Sequence, residues 1–232
     1  MCGIVGYVGS QQAAPILMDS LCRLEYRGYD SAGIAVRDGD GHTTVVKAKG
    51  RLKVLSEKID GGRTLKGCIG IGHTRWATHG EPNEANAHPH ISGTEPDDSA
   101  VVGVHNGIIE NYAILKKKLQ AEGIEFKSET DTEVVAHLIA RYYKGNLKEA
   151  VLKAISKIEG TFGLAVICKD EPDTMIGARR GSPLILGIGQ NEFYLASDVS
   201  AIIMHTQKVV YLDDNDIVEI KEDGYNLLNT NS

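Results

Sequence analysis

The last third of the sequence constrains the fold most, because it consists almost entirely of strand-like segments separated by turn residues. Strands are predicted over residues 160–168, 174–180, 183–189, 192–198, 208–213 and 216–221, with one short helical segment at 199–204. Consecutive strands joined by short turns pair as antiparallel hairpins, whereas parallel strands need long crossover connections. The pattern therefore favours an α+β fold with antiparallel sheets over a doubly wound fold.

The first two thirds of the chain mix strands and helices in blocks. Strands are predicted over 3–9, 31–37, 43–48, 68–75, 101–105 and 124–128. Apolar residues at helical spacing predict helices over 13–26, 52–59, 112–119, 130–142 and 147–158. We expect Gly28 to end the first helix as a left-handed residue. Thr130 and Glu133 have the spacing of a capping box at the start of the fourth helix.

Composition limits the class of protein. A net charge of −6 argues against a nucleic-acid-binding protein, which would carry a basic face. No apolar run approaches the ~20 residues of a membrane span, and no signal peptide is apparent. The four cysteines form no CxxC pair, so we expect reduced thiols and a cytoplasmic protein. With no linker or repeat visible, residues 1–232 are expected to form a single domain with a frayed end at 228–232.

Cys2 stands directly behind the initiator methionine, at the head of a glycine-spaced strand. If Met1 is removed, Cys2 carries both a thiol and a free α-amine. An α-amine has a pKa of about 7.7–8.0, so near neutral pH part of it can act as a base for the neighbouring thiol. The alternative is that Cys2 is a small buried apolar residue, as free cysteines often are.

Two further segments carry candidate chemistry. Arg75 and Trp76 lie at a predicted strand end, before the aperiodic segment 77–99, and Arg75 is suited to clamp a carboxylate. Its alternative is a surface arginine stacked on Trp76. Asn106-Gly107 has the sequence of a two-residue hairpin turn, yet an amide beside a backbone N–H also suits an oxyanion hole.

A carboxylate and a group of histidines complete the candidates. Asp131 lies in the first turn of a predicted helix, where the helix dipole favours a carboxylate, but it is also a candidate partner for a substrate ammonium group. Four histidines fall close together in the sequence: His73, His79, His88 and His90. Their spacing matches no standard ligand pattern, so we predict neither a metal site nor a cofactor, although a metal- or glutamine-binding module without catalysis stays open.

Six segments taken together are similar to the glutaminase domain of the class II glutamine amidotransferases. They are Cys2–Gly6, Tyr26–Gly33, His73–Gly80, His88–His90, His105–Asn111 and Ser128–Glu133. Within that class the similarity is nearest to the glutamine–fructose-6-phosphate aminotransferases. The resemblance implies an N-terminal-nucleophile hydrolase fold, a four-layer αββα sandwich of two mainly antiparallel sheets between helix layers. The resemblance covers most of the chain.

The resemblance also implies the catalytic roles. Cys2 would attack the side-chain amide of L-glutamine and form a thioester, with its own α-amine as the base. The Asn106 side chain and the Gly107 N–H would stabilise the oxyanion. Arg27 and Gly28 would position the N-terminal amine.

The remaining implied roles concern the substrate. Arg75 would hold the α-carboxylate of glutamine and Asp131 its α-ammonium group. Thr78 and His79 would complete that pocket, and Trp76 would stand at the mouth of an ammonia path. A zwitterionic amino acid requires one cation and one anion, and this set supplies both.

The implied biological context extends beyond this sequence. Longer members of the class continue into sugar-phosphate isomerase domains and are homodimers; their ammonia converts fructose 6-phosphate to glucosamine 6-phosphate. Because this sequence stops at Ser232, we expect it to release ammonia from glutamine without making an amino sugar. The glutaminase half of a different class II amidotransferase, such as a purine-pathway or asparagine-forming enzyme, is the alternative.

Overall fold

Two antiparallel sheets form the centre of the molecule, for which the computed structural model describes residues 2–93 and 101–232. The first sheet contains, in spatial order, β11 (Val209–Tyr211), β9 (Ile185–Ile188), β10 (Phe193–Ala196), β1 (Gly3–Val8), β4 (Ile69–Arg75), β2 (Ser31–Arg37) and β3 (Thr43–Lys49). The second contains β13 (Gly224–Asn229), β12 (Asp216–Lys221), β8 (Glu171–Arg180), β7 (Phe162–Cys168), β6 (Val101–Asn106) and β5 (His90–Ile91). The predicted α+β class with antiparallel sheets is therefore confirmed.

Helices cover the outer face of each sheet. They are α1 (Ala13–Leu24), α2 (Leu52–Lys58), α3 (Tyr112–Ala121), α4 (Thr132–Tyr142) and α5 (Leu147–Ile155). Apolar residues of α1 and α2 pack on the first sheet, and those of α3, α4 and α5 pack on the second. A third apolar cluster fills the space between the sheets. These three cores separate four layers, the αββα sandwich that the resemblance implied.

The side-chain alternation of β4 sets up the candidate site. Ile69 and Ile71 point into the core between the sheets. Gly70 and Gly72 face the other way, where a Cβ on Gly70 would lie only 2.7 Å from the Leu17 side chain of α1. Glycine at these positions therefore lets α1 lie close against the sheet. Successive strand residues point to opposite faces, so His73 and Arg75 face the second sheet and Thr74 faces away from it.

Several predicted boundaries are wrong in instructive ways. Residues 124–128 form no strand, and β13 continues the second sheet through a segment that we expected to be partly frayed. The aperiodic segment contains the two-residue strand β5, and its residues 94–100 lie outside the described residues. Helix α1 ends at Leu24 and is followed by a short 3-10 turn, Glu25–Arg27.

The two predicted helix-end motifs are also wrong. Gly28 is extended, with φ of −174°, rather than left-handed. The Glu133 carboxylate accepts hydrogen bonds from the backbone of Lys127 and Ser128 instead of closing a capping box on Thr130. Gly28 and Glu133 therefore serve contacts with other segments of the chain and not the predicted helix ends. Among the described residues, no helix is long and apolar enough to cross a membrane.

Candidate active site

The ends of three strands bring the predicted catalytic residues together. Gly3 of β1 pairs with Thr74 of β4, so Cys2 lies beside Arg75 at the end of β4. Asn106 ends β6 in the opposite sheet, and its Nδ2 donates a hydrogen bond to the Cys2 carbonyl oxygen at 3.0 Å. The backbone of Cys2 and the Asn106 side chain, 104 positions apart in the sequence, are therefore neighbours across the gap between the sheets.

The Cys2 thiol is cradled by the backbone that follows β4. The Trp76 N–H donates to the sulfur at 3.3 Å, and the thiol lies 3.6 Å from the Trp76 carbonyl oxygen. Burial raises the pKa of the Cys2 thiol, whereas the Trp76 N–H acts in the opposite direction because it favours the thiolate. The alternative, that Cys2 is only a small buried apolar residue, does not explain why its sulfur accepts a hydrogen bond from the Trp76 N–H.

Arg75 is buried, with only 4% of its surface exposed. Its guanidinium donates to the carbonyls of His79, Gly80 and Glu81, which curls the following loop around it. Burial lowers its pKa, and the charges of Cys2, Asp30 and Asp131 oppose that effect. The alternative of a surface arginine stacked on tryptophan is therefore wrong.

Asp131 directly precedes α4, and its negative charge acts on this guanidinium. Its Oδ2 accepts the Ile109 N–H at 2.8 Å, which ties the start of α4 to the loop after β6. The side chain makes no capping hydrogen bond to α4 itself. The site thus offers a cation and an anion within electrostatic range of each other.

Gly107 follows β6 with φ of +120°, a conformation that favours glycine. A Cβ at this position would overlap the Thr161 carbonyl. The next N–H, that of Ile108, donates to Thr161 Oγ1 at 3.1 Å. The chain then enters α3, so the hairpin alternative for Asn106-Gly107 is wrong.

The other predicted substrate residues lie on the exposed part of the loop. Trp76 is 41% exposed and packs edge-on against Tyr29, with ring centroids 5.2 Å apart. The His79 ring packs edge-on against Tyr112, and the Thr78 side chain is exposed. The carbonyl of His79 contacts Arg75. Contacts of these three residues with a substrate stay predictions.

Arg27 is held by a carboxylate, that of Asp198, which no sequence pattern singled out. Its guanidinium donates to Asp198 Oδ2 at 2.9 Å, and Tyr26 donates to the same oxygen at 2.7 Å. Burial alone would raise the pKa of Asp198, but hydrogen bonds, including that from Ser200, lower it to about 2. Arg27 and Asp198 are 171 positions apart, so no local motif could reveal the pair.

Gly28 and Asp30 support the backbone on which the thiol rests. A Cβ on Gly28 would lie 2.7 Å from the Arg75 carbonyl carbon. Asp30 accepts the Ala77 N–H at 2.7 Å and donates its own N–H to the Arg75 carbonyl at 3.1 Å. Asp30 belongs to the segment Tyr26–Gly33, one of those that carried the resemblance. That segment is the sequence feature that could have indicated that Asp30 lies at the site.

The four candidate histidines, of which His73 lies on β4 and the others in the aperiodic segment, are not arranged around one point. His73 and His88 are stacked with ring centroids 3.9 Å apart, His90 packs edge-on against His88, and His79 lies apart from them. Within residues 2–93 and 101–232, no three His, Cys, Asp or Glu side chains are arranged to hold a metal ion.

Known proteins similar to this chain are glutamine amidotransferases. A sequence profile described as a glutamine amidotransferase domain matches residues 73–204. Glutamine–fructose-6-phosphate aminotransferases of Caldanaerobacter subterraneus and Aquifex aeolicus are 54% and 53% identical over 97% and 99% of this chain. The chain covers only 36% and 38% of those two proteins.

Solved structures give the same answer for the fold. The glutamine phosphoribosylpyrophosphate amidotransferase of B. subtilis superposes on 98% of this chain with a TM-score of 0.84 and 27% identity, and this chain covers 49% of it. A glutamine aminotransferase class-II domain protein of Silicibacter pomeroyi shares the fold, with a TM-score of 0.67 over 98% of this chain and 99% of its own, at 14% identity. The profile match spans more than half of the sequence. The chain therefore belongs to the glutamine amidotransferase domain family.

Proposed function

We propose that this chain is a single glutaminase domain that hydrolyses L-glutamine to L-glutamate and ammonia through a thioester on Cys2. The observation that carries the proposal is the meeting of a thiol, an amide donor, a guanidinium and a carboxylate at the ends of β1, β4 and β6. The four groups are Cys2, Asn106, Arg75 and Asp131. They match the needs of acyl transfer from a zwitterionic amino acid.

The first half of the reaction forms the acyl-enzyme. The Cys2 sulfur attacks the side-chain amide carbon of glutamine while the thiol proton passes to the α-amine of Cys2. The oxyanion of the tetrahedral intermediate accepts hydrogen bonds from Asn106 Nδ2 and the Gly107 N–H. When the C–N bond breaks, the proton leaves with the departing amine as ammonia.

The second half restores the enzyme. Water attacks the thioester carbonyl and gives a proton to the α-amine of Cys2, and the same donors stabilise the second oxyanion. The C–S bond then breaks to release glutamate, and the α-amine returns the proton to the sulfur. Arg75 and Asp131 hold the α-carboxylate and the α-ammonium group throughout, with Trp76, Thr78 and His79 around them. Arg27, anchored by Asp198, and Gly28 place the N-terminus.

This mechanism requires removal of Met1, because only then does the α-amine belong to Cys2. An α-amine has a pKa near neutrality, whereas the amide nitrogen of an unprocessed chain is not a base. We therefore propose that the processed chain is the active form.

We further propose that the ammonia is used to convert fructose 6-phosphate to glucosamine 6-phosphate in a longer protein with isomerase domains. The identity of 54% to such an aminotransferase supports this acceptor over that of a phosphoribosylpyrophosphate amidotransferase, which is 27% identical. Homodimer formation by the longer protein and a cytoplasmic location stay predictions.

The test is glutamate release from glutamine by the 232-residue chain, with the N-terminal mass read from the same sample. We expect turnover in chains that lack Met1 and loss of turnover in a Cys2→Ala variant. A Cys22→Ala variant is the matched control, because Cys22 is an exposed thiol on α1. Equal glutamate release by Cys2→Ala and the parent would refute the proposal, and glutamine binding without turnover would indicate a binding module.

A further inference from the structure

The two ends of the Asn106 amide make different hydrogen bonds. Nδ2 lies 3.0 Å from the Cys2 carbonyl oxygen, which can only accept. Oδ1 lies 3.0 Å from Nε2 of His73 on β4. A flipped amide would place two acceptors together at Cys2, so the orientation of Asn106 depends on what its Oδ1 meets.

Whether Nε2 of His73 can donate to Asn106 Oδ1 depends on which ring nitrogen of His73 carries the proton. The ring is fully buried, and burial lowers its pKa to about 3, so it carries one proton at neutral pH. Its Nδ1 makes no hydrogen bond of acceptable geometry within residues 2–93 and 101–232, although the backbone of His105 lies close enough to favour the protonated ring. A proton on Nδ1 would set two lone pairs, on Nε2 and Oδ1, against each other at 3.0 Å. The proton therefore belongs on Nε2, which donates to Asn106.

The packing around His73 prevents its ring from turning away. The ring is stacked on His88 at 3.9 Å with an interplanar angle of 9°. His73 pairs with Ile4 on one side and Gly33 on the other. The backbone of His88 lies against Gly33 so closely that a Cβ there would overlap the His88 carbonyl. A glycine on β2 thus permits the stack that holds the ring.

We infer that His73 is a positioning residue for the glutaminase reaction, which directs the N–H groups of Asn106 towards the oxyanion site. One Nδ2 hydrogen goes to the Cys2 carbonyl, which leaves the second for the substrate oxygen. The inference rests on the proposed function, because the role of Asn106 is defined by that reaction. His73 itself acts only through Asn106.

The consequence is a specific kinetic effect. The oxyanion exists only after the thiol has attacked. If the Asn106 N–H points away from the oxyanion, the transition state is therefore less stabilised while the affinity for glutamine is unchanged. Loss of one oxyanion donor costs about 100- to 1,000-fold in kcat. Loss of the residue that orients the donor is expected to cost less than this, because part of the population still points correctly.

The kinetic test uses His73→Leu, which removes the N–H but keeps an apolar side chain against His88. We expect kcat to fall at least about tenfold and KM to change less than about threefold. His73→Gln, whose amide can still donate to Asn106, should recover a large part of kcat. In an Asn106→Ala background, His73→Leu should have no further effect on kcat, because the two residues act as one unit.

The matched control is His137→Leu on α4. His137 is also a buried imidazole, but its Nε2 bonds to Glu133 and its ring packs against Phe126. This variant should lose stability and keep kcat. Equal kcat in His73→Leu and His137→Leu, or additive losses with Asn106→Ala, would overturn the inference.

A measurement that does not depend on turnover separates failure of the inference from failure of the proposed function. The ring nitrogen resonances of ¹⁵N-histidine-labelled protein report which nitrogen carries the proton, and His73→Leu assigns the signal. An Nε2–H tautomer of His73 supports the inference, and an Nδ1–H tautomer or a charged ring overturns it. A chain with the Nε2–H tautomer that releases no glutamate would refute only the proposed function.

Discussion

The backbone N–H of Trp76 points at the thiol sulfur of Cys2, with the nitrogen 3.3 Å from the sulfur. This contact joins the residue before β1 to the residue after β4, and it exists because those two strands are antiparallel neighbours. The N–H favours the thiolate, but burial outweighs it, so the pKa of Cys2 is raised above the ordinary thiol value. The free thiol is therefore protonated at neutral pH and requires a base during attack.

The first prediction concerns this titration. In the absence of glutamine, the rate of Cys2 alkylation by iodoacetamide is expected to rise about tenfold per pH unit from pH 7 to 8.5, because only the thiolate reacts. Mass spectrometry of the N-terminal peptide released by cleavage before Asp19 separates Cys2 from the exposed Cys22. A plateau in the rate below pH 8 would show that the thiolate already predominates and that the raised pKa is wrong.

The second prediction separates the charge of Asp131 from its structural contact. In Asp131→Asn, the amide oxygen can still accept the Ile109 N–H, so the loop should keep its position. Loss of a charge-assisted bond to the substrate ammonium costs about 1.5–3 kcal/mol, so KM for glutamine should rise about 10- to 100-fold.

Asp216→Asn is the control for that experiment. Asp216 is a buried carboxylate that also accepts a backbone N–H, that of Asp213, and it begins β12, three strands from β6 in the second sheet. Its replacement should leave KM unchanged. An unchanged KM in Asp131→Asn would remove Asp131 from the proposed substrate site.

The third prediction compares two glycines with positive φ. Gly107→Ala requires a strained φ near +120° and drives a Cβ into the Thr161 carbonyl, so the N–H proposed for the oxyanion hole must move. A loss of at least about 100-fold in kcat is expected. Gly123→Ala also has positive φ, +90°, but its Cβ meets nothing within 4 Å.

Gly123→Ala should therefore lower the free energy of unfolding by about 1 kcal/mol and leave kcat intact. Steady-state kinetics and urea unfolding of both variants make the comparison. If both lose only stability, Gly107 has a conformational role and no part in catalysis.

The fourth prediction concerns pH and stability. Burial lowers the pKa of four histidines on the strands and loops around the site: His73, His88, His90 and His105. Each titrates near 6.5 in the unfolded chain, so the unfolded state takes up protons first as the pH falls. The stabilisation from keeping these rings neutral is thus present above pH 6.5 and is lost below it.

The free energy of unfolding should accordingly fall as the pH is lowered from 7 to 5, by up to about 1.4 kcal/mol per pH unit for each ring. Urea unfolding at several pH values measures this slope. His73→Leu should reduce the slope by up to about 1.4 kcal/mol per pH unit, the contribution of one ring. A stability that is flat from pH 7 to 5 would mean that these rings are charged in the folded protein.

Local sequence patterns were sufficient for most elements of the fold. Strand alternation predicted β1, β2 and β4 almost to the residue, because each buries one face between the sheets and the other under helices. The pattern failed at residues 124–128, which alternate apolar and polar side chains but form irregular chain, with Ile124 and Phe126 packed against the core of the second sheet. It also failed at Gly28, where the sequence could not show that the reason for glycine is the Arg75 backbone rather than a helix end.

The sequence by itself determined which chemical groups are available: a cysteine behind the initiator methionine, an Arg-Trp strand end, an Asn-Gly pair and an acidic residue before a helix. Only the tertiary structure decided that Cys2 and Asn106 touch, that Asp198 holds Arg27, and that His73 faces Asn106 across the sheets. The physical reason is that these contacts join residues far apart in sequence, and their geometry follows from strand register and layer packing. Periodicity specifies which face of an element is buried but not which partner it meets there.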